Sequence, residues 1–408
     1  MNQSAESAAG PLSGIVVADF SRVLAGPLAS MFLADLGATV IKVERPPFGD
    51  DTRSWAPPSI GSMSTYFTSV NRNKRSIALD LADPEDLAVA RALAGRADVL
   101  IENFLPGKLA GFGLDAESLR AVNPGLVYCS ISGFGSGAGA ELAGYDFVVQ
   151  AVGGLMSITG HNPDEPTKVG VAVVDVLTGL HATIGILAAL RARDRDMSSA
   201  GSGLGQQVEV NLLSSLLSSL VNQGASYING AGVPAPMGNQ HPSIAPYETL
   251  ATQDAPLAVA VGNDRQFRQF ARVIGLPELA DDARFATNSA RVQHRRELVE
   301  RLESALAADT AAGWAARLQA AQIPCGPVND LGGAFDLATS LGLDPVVSFD
   351  ASFDASFDAP RDEPSIATLA NPVRLSGTPV RYHRPPPTLG ADSREVRAWL
   401  AGDLDALD

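Results

Sequence analysis

The sequence predicts an α/β fold, with a large domain built on a doubly wound parallel sheet and a smaller α+β domain. Short β-branched runs alternate with segments of helical periodicity through the first 132 residues, as in β-α-β units. The length, 408 residues, exceeds the size at which one core usually stops growing. A composition of 46% hydrophobic and 18% charged residues is typical of a compact globular protein.

Each predicted element of the large domain has a local signal. A helix over 26–38 has apolar residues at helical spacing, and the helix over 83–97 opens with an Asp cap and a Pro in its first turn. A Gly/Ser-rich stretch, 197–205, marks the domain exit. The predicted strands are GIVVADF (14–20), TVIKVER (39–45), SIALDL (76–81), DVLIENF (98–104) and LVYCSIS (126–132).

Two segments differ from this pattern. Residues from about 245 to 335 combine one strand, LAVAVG, with Arg- and Ala-rich helices and are predicted to form the smaller domain. The repeat SFDASFDASFDAP, 348–360, is interpreted as an exposed loop expansion without a catalytic role.

Charge and cysteine content narrow the class of protein. The net charge of -15 disfavours nucleic acids and anionic membranes as partners. Two cysteines, Cys129 and Cys325, form neither a disulfide framework nor a metal-ligand cluster, and the first ten residues lack the features of a signal peptide. We therefore expect a cytoplasmic enzyme.

Several basic residues lie close to the predicted strands. In an open α/β sheet, ligands bind beyond the carboxyl ends of the strands, so these residues are candidates to meet an anion such as a nucleotide phosphate. A solvated charged face explains any one of them equally well. The residues are Arg45, Arg72, Lys74, Arg75 and Lys108.

Other catalytic motifs have little support. The glycine-rich SISGFGSGAG, 130–139, fails the dinucleotide fingerprint in detail and is interpreted as a flexible loop over a ligand. There is no HExxH or other metal-ligand spacing, and no GxSxG elbow.

A lone carboxylate, Asp175, interrupts the apolar run 169–190. The run is long enough to resemble a membrane span, but Asp175, His181 and three glycines favour a buried segment of a soluble protein. Residues 169–174 read as extended and those after Asp175 as helical, which places the carboxylate near a helix N-terminus. It is therefore a helix cap or a reactive group, because an isolated buried carboxylate is costly.

Motifs spread along nearly the whole chain, from about Leu12 to the last helix, resemble the class III coenzyme A transferases, the formyl-CoA and carnitine CoA-transferase family. The SFDA repeat is the clear departure. The motifs are LSGIVVADFSRVLAGPLASMFLADLGATVIKVERP, NRNKRSIALDL, DVLIENFLPG, GYDFVVQA, HATIGILAAL and IPCGPVND.

The resemblance implies an architecture. It implies a Rossmann-like large domain over 11–205, completed by the C-terminal segment 385–408 and preceded by a disordered tail, 1–10. The small domain spans 231–335, between linkers at 206–230 and 336–384. It also implies a homodimer whose two ring-shaped chains are interlocked.

The resemblance also implies a mechanism without a metal, ATP or a permanently bound cofactor. Asp175 falls where these transferases have their nucleophile, which attacks an acyl-CoA to form a mixed anhydride and then an aspartyl-CoA thioester. An Asp with the ordinary pKa of about 3.9 needs no general base. The active-site loop falls on Gly238, Asn239, Gln240 and His241, and the CoA contacts on Val23, Leu24, Ala25, Arg45, Leu79, Asn103, Phe104, Lys108 and Tyr145.

The substrates implied are an acyl-CoA and small carboxylic acids. GNQHPSIAPYETL and the residues after it resemble the branch that moves CoA between succinate and a dicarboxylate such as glutarate, and Leu24 replaces a glutamine of formyl-CoA transferase, which disfavours oxalate or formyl substrates. Two alternatives stay open. One is an α-methylacyl-CoA racemase, disfavoured because Tyr145-Asp146 stands where that family has a His-Asp pair; the other is a non-catalytic acyl-CoA-binding protein.

Overall fold

The computed structural model describes residues 10–198, 203–349 and 365–407. Nearly all of the predicted tail and most of the SFDA repeat lie outside these residues. The described chain divides into two compact units. The first contains the residues up to Gly153, Gly170–Asn229 and those from Asp344 onward, and the second contains Gly154–Val169 and Gly230–Leu343.

The strands of the described chain are β1 Val16–Asp19, β2 Thr39–Glu44, β3 Ser59–Ile60, β4 Met63–Ser64, β5 Lys74–Ala78, β6 Val99–Glu102, β7 Val127–Ser132, β8 Gln207–Asn211, β9 Tyr247–Leu250, β10 Leu257–Ala260, β11 Cys325–Pro327, β12 Val346–Phe349 and β13 Ile366–Leu369.

The α-helices are α1 Ala25–Asp35, α2 Thr65–Thr68, α3 Pro84–Arg96, α4 Ala116–Val122, α5 Asp146–Val152, α6 Val173–Ser198, α7 Leu212–Ser219, α8 Val221–Ile228, α9 Asp264–Val273, α10 Asn288–Gln293, α11 Arg295–Leu306, α12 Ala311–Ala320, α13 Leu331–Ser340 and α14 Ser393–Ala401.

The first unit is built on a six-stranded sheet in the order β5-β2-β1-β6-β7-β8. Every neighbouring pair is parallel, and the prediction of a mixed α/β fold with a parallel central sheet is confirmed. From β1 the chain builds outward through β2 and β5, and then returns to the other side of β1 with β6. The order therefore reverses between β1 and β6, and sheets of this kind bind ligands beyond the carboxyl ends of the strands at that point.

The long apolar helix α6 packs inside the first unit. Its segment Val173–Arg195 is long and apolar enough to cross a membrane by length and composition. Half of the most apolar stretch of this segment is buried within the chain. The helix contacts α1, α7 and the strands β7 and β8. It thus covers one face of the sheet.

The second unit contains a three-stranded antiparallel sheet in the order β11-β10-β9. The predicted strand LAVAVG corresponds to β10. Helices α9, α11 and α12 pack on this sheet through a cluster of buried aromatic and aliphatic side chains that includes Phe267, Phe270 and Trp314.

The units differ from the predicted domain boundaries. Strand β8 lies in the segment 206–230 that was predicted as a linker, yet it pairs with β7 as the edge strand of the sheet. Its sequence, QVEVN, alternates apolar and polar residues because one face of an edge strand is exposed, and this weakens the signal of a buried strand. Residues 154–169, predicted in the large domain, belong to the second unit, which also extends past the predicted end at 335 to Leu343.

Candidate active site

Asp175 lies in the first turn of α6 and is 9% exposed. The helix begins at Val173, so the predicted extended run ends two residues earlier than expected. Among the described residues, no group donates a hydrogen bond to the Asp175 carboxylate, and the charged group that acts on its pKa is Asp146.

The cap of α6 is Asp146, from the start of α5. Its Oδ1 accepts from the backbone N–H of Val174 at 2.7 Å and of Asp175 at 3.3 Å, and its Oδ2 accepts from Gln150 Nε2 at 2.6 Å. The interpretation of Asp175 as a helix cap is therefore wrong. Because Asp146 holds backbone N–H groups, its environment also disfavours the proton-transfer role that a racemase would require.

Burial, followed by the negative charge of Asp146, raises the pKa of Asp175 to about 7. The expectation of an ordinary pKa is thus corrected. The dipole of α6 favours the ionised form of a carboxylate in its first turn, but desolvation and a second carboxylate outweigh this effect. A desolvated carboxylate without hydrogen-bond donors is a more reactive nucleophile than one in water.

Asp175 lines a cleft of about 190 Å³ at the carboxyl edge of the sheet. The loops that follow β1 and β6 form two of its walls, and the glycine-containing segment between Gly133 and Gly144 forms another. The cleft lies where the strand order reverses. It brings Asp175 together with six of the predicted CoA contacts, Val23, Leu24, Ala25, Asn103, Phe104 and Tyr145.

A close approach of α6 to α1 brings the two helix starts together in this cleft. A Cβ on Gly179, one turn after Asp175, would lie 2.7 Å from the carbonyl oxygen of Ala25 and 3.3 Å from the Cβ of Leu28. The first turn of α1 has no side-chain cap and no acidic residue. Its backbone N–H groups are therefore suited to stabilise negative charge that develops in the cleft.

A second cleft, of about 480 Å³, is lined by two further predicted CoA contacts, Arg45 and Leu79. It shares Arg22, Asp51 and Phe104 with the first cleft, so the two adjoin. Arg22 forms an exposed ion pair with Asp51 at 3.0 Å, and its guanidinium lies 5.7 Å from the Phe104 ring centroid. Sequence reasoning missed Arg22, although its position two residues after the end of a predicted strand was a usable signal.

Four of the predicted basic residues do not line these clefts. Lys108 is exposed at the start of a 3-10 turn. Arg72 and Lys74 are buried in ion pairs with Asp35, at 2.6 Å, and with Asp19, at 3.1 Å.

Arg75 is 9% exposed and lies 3.6 Å from Asp392. Strand β5 begins at Lys74, earlier than predicted, so Lys74 and Arg75 belong to the strand instead of a ligand-facing loop. The prediction that Arg72, Lys74 and Arg75 meet an anionic ligand is therefore wrong.

Tyr66 lies within electrostatic reach of the site, although it lines neither cleft, and sequence reasoning missed it. It lies in the four-residue helix α2 and packs edge-to-face on Trp55, with ring centroids 5.0 Å apart. Burial and the carboxylates of Asp175, Asp146 and Asp50 raise the pKa of Tyr66 to about 12. A neutral hydroxyl therefore lies within electrostatic reach of Asp175, and a helix this short leaves no periodicity by which to find it.

The predicted active-site loop lies in the second unit. Gly238 has a φ of +60°, and its N–H donates to the carbonyl oxygen of Gly160 at 2.8 Å. A Cβ at this glycine would lie 2.6 Å from His161 Nδ1. The other three residues are also held: Asn239 Nδ2 donates to Thr249 Oγ1 at 3.0 Å, Gln240 hydrogen-bonds Glu248, and the carbonyl oxygen of His241 accepts from Arg295 at 2.6 Å.

The fold and the cleft together define an α/β enzyme with a buried, uncompensated carboxylate at the switch point of a parallel sheet. The model of the family described as CoA-transferase family III matches residues 12–393. The chain belongs to this family and is a CoA-transferase.

Individual relatives agree with this assignment. The chain is 42% identical to the succinate–glutarate CoA-transferase of Agrobacterium fabrum, over 96% of each chain. It is 40% identical to the succinyl-CoA:glutarate CoA-transferase of Mus musculus, over 95% of this chain and 85% of the relative. This chain is also 40% identical to a CAIB/BAIF family protein from Brucella suis with a known crystal structure, with a TM-score of 0.82. The match covers 96% of this chain and 100% of the Brucella chain.

Proposed function

We propose that this enzyme moves CoA from succinyl-CoA to a free dicarboxylic acid such as glutarate, with Asp175 as the covalent carrier. The single observation that carries the mechanism is the buried Asp175 carboxylate, which lacks a hydrogen-bond donor among the described residues and faces a cleft lined by predicted CoA contacts. The choice of substrates is supported by the names of the two relatives that are 42% and 40% identical.

The proposed reaction exchanges one acid for another without water or ATP. A carboxylate oxygen of Asp175 attacks the thioester carbonyl, the C–S bond breaks, and CoA leaves as the thiolate. The thiolate then attacks the Asp175 carbonyl, which breaks the anhydride C–O bond and releases succinate. The incoming dicarboxylate attacks the aspartyl-CoA thioester, and the same steps run in reverse.

The cleft residues have separate roles in this proposal. Each addition to a carbonyl creates an oxyanion, which the N–H groups at the start of α1, near Ala25, would stabilise. Arg45 and Leu79 in the adjoining cleft would bind the more distant part of CoA.

An isotope exchange experiment tests this proposal. With succinyl-CoA and labelled glutarate, we expect label in the thioester pool, and hydroxylamine should convert the Asp175 adduct to a hydroxamate. Asp175→Asn should fold and bind CoA but lose nearly all exchange. Asp344→Asn, which changes an exposed carboxylate with 91% side-chain exposure, is the matched control and should exchange normally.

Three outcomes would count against it. Full exchange by Asp175→Asn, after deamidation is excluded, would remove the mechanism. CoA binding without exchange would favour a binding protein, and uptake of α-deuterium by a 2-methylacyl-CoA without any acceptor acid would favour a racemase.

The Rossmann-like character of the sheet, the interlocked homodimer, the cytoplasmic location and the absence of a permanently bound cofactor stay predictions from the sequence.

A further inference from the structure

We propose that Lys42 and Asp50 are positioning residues that hold the backbone on both sides of Arg22 and thereby set the start of α1 in the Asp175 cleft. This inference deepens the proposed function and rests on it. Both residues border the second cleft with side chains that are 0% exposed. Neither was a candidate from the sequence, and neither takes part in the bond-making steps of the mechanism above.

The backbone between β1 and α1 has a conformation that needs external support. Val23 has a φ of +71°, in the left-handed region that β-branched residues strongly disfavour. Its neighbour Arg22 is already clamped by Asn103, which accepts from the Arg22 N–H at 2.9 Å and donates to the Arg22 carbonyl oxygen at 2.7 Å. Leu24 and Ala25, the next two residues, line the cleft.

Asp50 and Lys42 supply hydrogen bonds to the two residues that flank Arg22. Both carboxylate oxygens of Asp50 lie within hydrogen-bond distance of the Val23 N–H, at 3.2 and 3.3 Å. Lys42 Nζ pairs with Asp50 at 2.9 Å and also donates to the carbonyl oxygen of Ser21 at 2.9 Å. One ion pair therefore holds the residue before Arg22 and the residue after it.

The pair is charged and fixed in place. Both side chains are 0% exposed. Burial would raise the pKa of Asp50, but the charge and hydrogen bond of Lys42 and the contacts of Thr52 outweigh it and hold that pKa below its usual range. Thr52 donates to Asp50 Oδ1 through its N–H at 3.0 Å and its hydroxyl at 2.8 Å, so the carboxylate cannot turn away from Val23.

Hydrogen exchange and kinetics of Asp50→Asn test the inference. We expect the amides in a peptide over residues 21–28 to exchange faster, because the Val23 N–H loses its charged acceptor. We also expect kcat to fall by about 30-fold or more with the KM for succinyl-CoA changed by less than about 3-fold, because displaced oxyanion donors weaken the transition state more than ground-state binding.

Asp35→Asn is the matched control. Asp35 forms a buried ion pair with Arg72, in which both side chains are at most 1% exposed. It does not line either of the two clefts described above. This variant should lose stability while the folded enzyme keeps its kcat and the exchange rates of 21–28. If Asp50→Asn does not fold, the double variant Lys42→Met/Asp50→Asn removes both charges and should show the same loss of kcat.

The inference would be overturned if folded Asp50→Asn had the wild-type kcat and unchanged amide hydrogen exchange at residues 21–28. The same loss of kcat in Asp35→Asn would also overturn it, since the effect would then belong to any buried ion pair. Asp175→Asn distinguishes this failure from that of the proposed function. If Asp175→Asn is inactive while Asp50→Asn is normal, only the positioning role fails. If Asp175→Asn is fully active, the proposed function fails, but amide hydrogen exchange at 21–28 still tests whether Asp50 and Lys42 hold the backbone around Arg22.

Discussion

At the scale of single residues, Asp175 differs from the other buried aspartates in its electrostatic environment. It is buried and has another carboxylate, Asp146, as its charged neighbour, and it has no hydrogen-bond donor among the described residues. Aspartates that are buried for structural reasons usually have the opposite environment, as Asp19 does with Lys74 and two serine hydroxyls. This difference separates the carboxylate with a chemical role from those that support the fold.

The pH dependence of the rate follows from this environment. With the pKa of Asp175 at about 7, kcat/KM for succinyl-CoA should rise with pH and level off above that midpoint, because only the ionised carboxylate attacks. Asp146→Asn, which removes the like charge, should shift the midpoint downward. A wild-type midpoint near 4 would show that the carboxylate has its ordinary pKa in the working enzyme.

The same shift predicts an unusual stability effect. The folded pKa of about 7 exceeds the ordinary value of 3.8, so the native state binds the proton more tightly, and stability is lost as pH rises from about 4 through about 7. Asp175→Asn cannot ionise, so at pH 8 it should be more stable than the wild type, by at most about 4 kcal/mol. Urea unfolding at pH 8 and pH 4 measures this; lower stability of the variant at pH 8 would contradict it.

At the scale of elements, the cleft depends on two helices meeting at their starts. Helix α6 presents Gly179 to α1, and this contact lets Asp175 and Ala25 line the same cleft. The cap of α6 comes from Asp146 on α5. Three helices thus determine where the carboxylate lies relative to the sheet.

Gly179→Ala tests the helix contact. Alanine favours a helix interior by about 1 kcal/mol over glycine, but here its Cβ would lie 2.7 Å from the Ala25 carbonyl oxygen, so the helices must separate. We expect lower stability and a fall in kcat/KM of about 10-fold or more. Gly95→Ala in α3 is the control, since its Cβ would have no neighbour within 4 Å, and it should raise stability without changing activity. Equal behaviour of the two variants would show that the contact does not matter.

At the scale of the whole molecule, exposed apolar side chains favour assembly. No residue of α8 is buried within the chain, and Val221, Tyr227 and Ile228 on it are 71%, 57% and 78% exposed. Helix α13 likewise has no buried residue, and its first residue, Leu331, is 79% exposed. Soluble proteins rarely leave helices of this kind uncovered, so these surfaces are consistent with the predicted homodimer.

Sedimentation at nanomolar concentration tests the dimer. Interlocked chains cannot separate without unfolding, so we expect a dimer at every concentration, with an interface well above about 2,000 Å². A species of 42.3 kDa at nanomolar concentration would contradict the interlocked arrangement.

The sequence by itself determined the parallel sheet and singled out Asp175. Buried parallel strands are continuous β-branched runs, and a lone carboxylate in an apolar run is conspicuous, so both leave a local signal that can be read without neighbours. The family motifs then associated Asp175 with six side chains that the structure places in one cleft with it.

Only the tertiary structure decided which groups surround that carboxylate. Asp146 caps α6 from 29 residues away, the charge of Asp175 acts on Tyr66 in a four-residue helix, and Arg72 proved to be a buried partner of Asp35. Periodicity and composition report whether a residue is buried, but not which distant residue it meets. A pKa depends on such contacts between residues distant in sequence, because desolvation and charge act through space and not along the chain.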